Sequence, residues 1–130
     1  MSFKEIPIQK PELLKLGKEL GLTRVQAIVL DFYKRMENDV LVGFFFAGKD
    51  ISAIAAKQSE FLLRAMGLTP SYSGKPPANA HTEMPPILTG HFDRRLKVLE
   101  ETLTSHHLKR EQILVWIGFE NAFRDAIVSK

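Results

Sequence analysis

The chain is patterned as a series of amphipathic helices. The clearest one lies between residues 23 and 36, where apolar side chains recur at spacings of three and four residues, the period of one helix face. Thr23 and Gln26 have the spacing of a capping box, which predicts that this helix starts at Thr23. Its inward face would carry Val25, Ile28, Val29, Phe32, Tyr33 and Met36.

A short helix is predicted before this one and a longer helix after it. Pro11 favours a first helical turn, and Gly21 suits the left-handed conformation that ends many helices. Asp50 is a good N-cap for a helix over residues 51–66, and Gly67 would stop it. The inward face of that helix would carry Ile54, Gln58, Phe61 and Leu62.

Two more helices are predicted near the end of the chain, and no segment has the alternating pattern of a strand. The sequence therefore predicts an all-α fold. One apolar stripe consists of Phe92, Leu96, Leu99 and Leu103, and the other of Ile113, Trp116, Ile117, Phe123 and Ile127.

A proline-rich segment separates the two halves of this pattern. Five of the seven prolines lie between Gly67 and Gly90, which excludes a long helix there, and connections of this length in a compact domain are usually functional or disordered. Two proline pairs bracket residues 78–84, with His81 near the middle. We expect this segment to present a functional side chain.

Composition narrows the classes of function. The absence of cysteine excludes disulfides, thiolate zinc sites, cysteine-held iron–sulfur clusters and a cysteine nucleophile. The 18 basic and 15 acidic residues are interspersed, so we expect neither nucleic-acid nor membrane binding. With no secretion signal and no apolar run of about 20 residues, a cytoplasmic location is expected.

Polar residues on apolar faces are the remaining candidates for chemistry, because the common hydrolase and nucleotide-binding motifs are absent. His91, His106 and His107 are expected to be exposed. Tyr33 and Gln58 interrupt inward faces, and burying each is costly unless it finds a partner. They either bond to each other or to backbone, or they face a ligand.

Six blocks of sequence, in order and with preserved spacing, resemble the truncated haemoglobins, most closely group I. The match extends from about Gly21 to Leu103. The blocks are Asp31-Phe32-Tyr33-Lys34-Arg35, Phe45-Phe46-Ala47-Gly48, Lys57-Gln58-Ser59-Glu60-Phe61, Tyr72-Ser73-Gly74, Ala80-His81 and His91-Phe92.

The resemblance implies a truncated globin fold, a two-over-two helical sandwich around non-covalent haem b. Residues 1–130 would form a single domain, with a short helix in an N-terminal extension over residues 1–20 and the globin core over residues 21–128. His81 would be the proximal ligand of the haem iron. The haem pocket would be completed by Tyr33, Phe46, Ile54, Gln58, Phe61, Met84 and Phe92.

The resemblance also implies that Tyr33 and Gln58 donate hydrogen bonds to a dioxygen ligand. Ile54 lies where many globins carry a distal histidine, and residues 51–66 contain no histidine, so a five-coordinate ferrous iron is expected. Nitric oxide and carbon monoxide would bind at the same position.

The sequence leaves three functions open. The first is reversible dioxygen binding for carriage or storage. The second is a nitric oxide dioxygenase, which would convert nitric oxide to nitrate with the help of an external reductase. The third is a haem-free helical adaptor in which His81 and Tyr33 are structural. The sequence does not decide whether the protein is an enzyme.

Overall fold

The computed structural model describes residues 11–69 and 87–128, and within these ranges every regular element is helical. The elements are α1 (Pro11–Leu20), α2 (Leu22–Glu37), a 3₁₀ helix (Gly43–Phe46), α3 (Ile51–Ala65), α4 (Thr89–Ser105), α5 (Arg110–Asn121) and α6 (Arg124–Ile127).

The junction between α1 and α2 is tighter than the sequence predicts. Gly21 has a φ of +81° and donates its N–H to the Gly17 carbonyl at 2.8 Å, so this single residue separates the two helices. Helix α2 therefore starts at Leu22, and Thr23 is already inside the helix. The predicted capping box of Thr23 and Gln26 is wrong, because an N-cap residue must lie outside the helix.

Helix α3 has the predicted ends. The Asp50 carboxylate accepts the Ala53 N–H at 3.1 Å and caps the first turn. The last helical residue is Ala65, and Gly67 follows in the left-handed conformation at φ +73°. Both ends depend on local backbone chemistry, which a sequence pattern captures well.

The four long helices pack as two layers. Helix α2 packs most extensively against α3, and α4 packs against α5; α2 also contacts α4 and joins the layers. Helix α1 lies against α5, α2 and α3. The inward stripe predicted for α2 is buried along its whole length, and Trp116 of α5 is 1% exposed at the centre of the core.

Residues 70–86 lie outside the described ranges, and with them His81 and Met84. No helix in the described ranges is long and apolar enough to span a membrane.

Helix α1 crosses the end of α3 at Gly17. A Cβ atom on Gly17 would lie 2.6 Å from the Met66 carbonyl oxygen and 2.7 Å from the Met66 Cβ, closer than real contacts of this kind. Only glycine allows this approach between the two backbones.

We predict that Gly17→Ala lowers the free energy of unfolding by about 1–3 kcal/mol, because the two helices must separate. The matched control is Gly118→Ala within α5, where nothing lies within 4 Å of the added carbon. That change should raise the free energy of unfolding by about 0.5–1 kcal/mol. Urea unfolding measures both, and equal stability of the Gly17 variant and the unchanged protein would contradict the helix crossing.

Candidate functional site

A cavity of about 280 Å³ lies between α2, α3, α4 and the 3₁₀ helix. Its polar lining residues are Tyr33, Lys49, Lys57, Gln58, His91 and Arg95. The others are apolar: Met36, Val42, Phe45, Phe46, Ile54, Ile87, Phe92 and Ile127. Five of the site residues expected from the sequence line this one cavity, namely Tyr33, Phe46, Ile54, Gln58 and Phe92.

Phe61, the remaining described candidate, lies behind this cavity and lines a second one of about 30 Å³. Its ring packs against Phe119 and Phe123, with centroids 6.1 and 5.5 Å away. Trp116 lines the same space, and its buried indole N–H has no hydrogen-bond partner among the described residues. The volume is enough for one water molecule.

Tyr33 places a phenol at the wall shared by the two cavities. The residue is 4% exposed, and its ring makes edge contacts with Phe32 and Phe46 at 5.0 and 6.0 Å. The Tyr33 hydroxyl oxygen accepts a hydrogen bond from the Arg95 guanidinium at 3.2 Å. Burial raises the pKa of Tyr33, although the Arg95 cation acts in the opposite direction. The phenol is therefore protonated at neutral pH.

Arg95 is held behind Tyr33 by a partly buried ion pair with Glu120 of α5. The two charged groups are 2.7 Å apart, with side chains 15% and 18% exposed. Burial is the largest single influence on the pKa of Arg95 and lowers it, but the attraction of Glu120 and the hydrogen bonds to Tyr33 and Glu120 together outweigh burial, so the pKa is raised above its ordinary value. The guanidinium also lies over the Phe32 ring, 5.0 Å from the centroid. It is a permanent cation next to the cavity.

Sequence analysis missed both members of this pair. Arg95 follows Phe92 by three residues and precedes Leu99 by four, so it lies on the inward stripe of α4. Glu120 follows Trp116 by four residues on the inward stripe of α5. The sequence does contain a signal for this ion pair, because a cation and an anion each interrupt an apolar stripe.

Gln58 is half-buried on α3 and faces both cavities. Its amide makes no hydrogen bond with any described residue, and Tyr33 bonds to Arg95 instead. The sequence suggested Gln58 or the backbone as the hydrogen-bond partner of Tyr33. The partner in the structure is neither of these.

The 3₁₀ helix in the cavity wall is positioned by Asp39. The Asp39 carboxylate accepts the N–H groups of Leu41 and Val42 at 3.0 and 3.2 Å, and the Arg94 Nε–H from α4 at 2.9 Å. The hydrogen bonds from Arg94 hold the pKa of Asp39 below its ordinary value. Asp39 is therefore charged at neutral pH and fixes the turn that presents Phe45 and Phe46.

His91 is half-buried in the cavity wall, so the exposed position expected for it is wrong. Its ring makes an edge contact with Phe45 at 5.1 Å, and its Nδ1 accepts the Leu88 N–H at 3.1 Å. In a neutral ring the proton is then on Nε2. His106 is also partly buried, with Nε2 2.8 Å from the Asp31 carboxylate, whereas His107 is exposed as expected.

Comparison with known sequences assigns the family. A sequence model of the bacterial-like globins matches residues 16–128. A group 1 truncated haemoglobin of Chlamydomonas moewusii is 33% identical over 98 residues, which cover 75% of this chain and 57% of the relative. The group 1 truncated haemoglobin of a Synechocystis species is 39% identical over 70 residues, 54% of each chain. The match thus spans little more than half the length of these relatives.

Solved structures agree with the fold. The truncated haemoglobin of Tetrahymena pyriformis in its Fe(III) form superposes with a TM-score of 0.80 at 26% identity, covering 88% of this chain and 98% of the other. The 2/2 haemoglobin of a Synechococcus species, which carries covalently attached haem, superposes with a TM-score of 0.76 at 23% identity, covering 86% and 97%. The two helical layers are those of the two-over-two sandwich, and this chain is a truncated haemoglobin of the bacterial-like globin family.

Proposed function

We propose that this protein binds haem b non-covalently in the cavity of about 280 Å³ and binds dioxygen reversibly, for carriage or storage. The family is a haem-binding one, and membership in it suggests gas ligands such as dioxygen. The observation that carries the proposal is a buried phenol, Tyr33, facing a cavity that is otherwise mainly apolar.

The residues around the cavity fit haem. Apolar side chains on α2, the 3₁₀ helix and α4 provide contacts for the porphyrin faces, with Phe46 and Phe92 among them. Haem also carries two carboxylates, and the exposed side chains of Lys49 and Lys57 offer cations at the cavity edge. When bound, haem would supply an iron that can bind a diatomic gas.

His81 is proposed as the proximal iron ligand, on the strength of the sequence resemblance. His91 is the competing histidine because it lines the cavity. Its geometry argues against this role, since an imidazole binds a metal through an unprotonated nitrogen and donates from the other. The His91 Nδ1 accepts a backbone N–H, which leaves the proton on Nε2 in the neutral ring.

The proposed roles of Tyr33 and Gln58 are those of hydrogen-bond donors to dioxygen. A dioxygen ligand takes up partial negative charge, and a phenol O–H and an amide N–H can both stabilise it. Ile54, which lines the same cavity, has no donor. Phe61 and Met84 are proposed to contribute apolar surface, Phe61 from behind the wall. Exclusion of water by these side chains would slow oxidation of the iron.

We predict that His81→Ala loses most haem retention, because it removes the proposed iron ligand. The matched control is His91→Ala, which should keep the haem. Transfer of haem to apomyoglobin measures retention, and the ferrous absorption spectrum reports coordination. Equal retention and an unchanged spectrum in the His81 variant would show that the proximal assignment is wrong.

We predict that Tyr33→Phe accelerates dioxygen release about tenfold or more, because one hydrogen bond is worth about 1–2 kcal/mol. Stopped-flow displacement by carbon monoxide measures the rate. Gln58→Leu tests the second donor in the same way. An unchanged rate in the Tyr33 variant would contradict its proposed role.

The same pocket would serve a nitric oxide dioxygenase. Rapid mixing of the dioxygen-loaded protein with nitric oxide, in the presence of a reductase, separates the two functions. Our proposal predicts a single turnover that leaves ferric protein. Sustained formation of nitrate over many turnovers would show that the protein is a nitric oxide dioxygenase and not a carrier. A colourless protein that folds without haem would instead support an adaptor.

A further inference from the structure

We propose that Arg95 is a positioning residue that makes Tyr33 a hydrogen-bond donor toward the gas ligand, and so favours dioxygen over carbon monoxide. The inference rests on the proposed function and deepens it. It concerns the one polar contact that the Tyr33 hydroxyl makes within the described part of the chain.

The polarity of that contact sets the direction of the hydroxyl proton. A guanidinium has five N–H donors and no acceptor, so Arg95 can only donate to the Tyr33 oxygen, as it does at 3.2 Å. The Tyr33 proton cannot point back at Arg95. It remains available for an acceptor on the cavity side. A neutral partner such as a serine hydroxyl would have allowed either direction.

The position of Arg95 is fixed on several sides. Glu120 holds Nη1 at 2.7 Å, Phe32 lies under the guanidinium plane, and Nη2 contacts Tyr33. The Tyr33 ring is itself held by edge contacts with Phe32 and Phe46. Neither partner can turn away without exposing a buried charge or losing a ring contact, so the donor is oriented before a ligand arrives.

An ion pair that is largely withdrawn from water is weak evidence for a stabilising role. Replacing a buried ion pair with apolar side chains of similar size is often neutral or stabilising, whereas removing one partner strands the other charge. Arg95 and Glu120 lie among Phe32, Leu99 and Trp116, which already provide an apolar environment. A role in orienting Tyr33 would explain why a charged pair is present at this position, which packing alone does not explain.

The consequence is a preference among gases. A dioxygen ligand accumulates negative charge and gains from a fixed O–H donor, and a donor polarised by a cation is a stronger one. A carbon monoxide ligand is nearly non-polar and gains little. The Arg95 cation beside the cavity therefore raises the ratio of dioxygen to carbon monoxide affinity.

The test is a mutant cycle on the haem-bound protein. Arg95→Met combined with Glu120→Gln removes both charges together, which avoids a stranded carboxylate. The second variant is Tyr33→Phe, and the third combines all three changes. The matched control is Arg35→Met, which removes an exposed arginine of α2 that pairs with Asp31 and does not line the cavity.

We expect the Arg95 and Glu120 double variant to release dioxygen about three- to tenfold faster, with little change in carbon monoxide release. The same changes should have no further effect in the Tyr33→Phe background, because Arg95 acts through Tyr33. The C–O stretching frequency of the carbon monoxide complex should rise in the double variant, since a polarised donor is lost. The control should match the unchanged protein in both measurements.

Multiplicative effects of the two sets of changes would overturn the inference, because Arg95 would then act independently of Tyr33. An unchanged rate and C–O frequency in the double variant, with faster release in Tyr33→Phe, would overturn the role of Arg95 and leave the proposed function standing. Failure of the unchanged protein to bind haem would overturn both.

Discussion

The ion pair between Arg95 and Glu120 joins α4 to α5 behind the cavity, and one more hydrogen bond ties it to Tyr33 on α2. Three of the four helices of the sandwich therefore meet at one polar cluster inside an apolar core. The constraint at work is that buried polar groups must be paired. Here Arg95 donates to both Glu120 and Tyr33, and the Tyr33 hydroxyl proton has no acceptor among the described residues.

The part of the cavity wall that the 3₁₀ helix forms depends on a local turn. Asp39 closes the turn after α2 and binds Arg94 of α4, so the 3₁₀ helix that carries Phe45 and Phe46 is fixed to the same helix as Arg95. Two neighbouring arginines of α4 thus contact two parts of the cavity wall: Arg95 binds Tyr33, and Arg94 binds the turn before the 3₁₀ helix.

Much of the fold could be predicted from the sequence because its signals are local. The α2 stripe, the Asp50 cap and the Gly67 stop each depend on residues within a few positions of one another. The start of α2 could not be predicted, because Gly21 with its positive φ takes the N-cap position and leaves Thr23 inside the helix.

The residues of the candidate site also divide into those that the sequence predicts and those that it does not. Tyr33 and Gln58 were found because each interrupts an apolar stripe, and Phe46 and Phe92 through the resemblance. The partner of Tyr33 was not found, since Arg95 and Glu120 are 25 residues apart and meet only when α4 crosses α5. Phe61 was placed in the pocket itself, but the direction in which α3 presents Gln58 turns Phe61 toward α5 and away from the larger cavity.

The central claim is that the cavity holds a haem whose iron has an open axial position facing Tyr33. The most direct measurement is the absorption spectrum of the purified protein in the ferric state, then reduced, with and without carbon monoxide. The account predicts a Soret band, a five-coordinate ferrous spectrum, and a band that sharpens and shifts when carbon monoxide is added. A spectrum that stays featureless after titration with haem, or a six-coordinate low-spin ferrous form without added ligand, would contradict it.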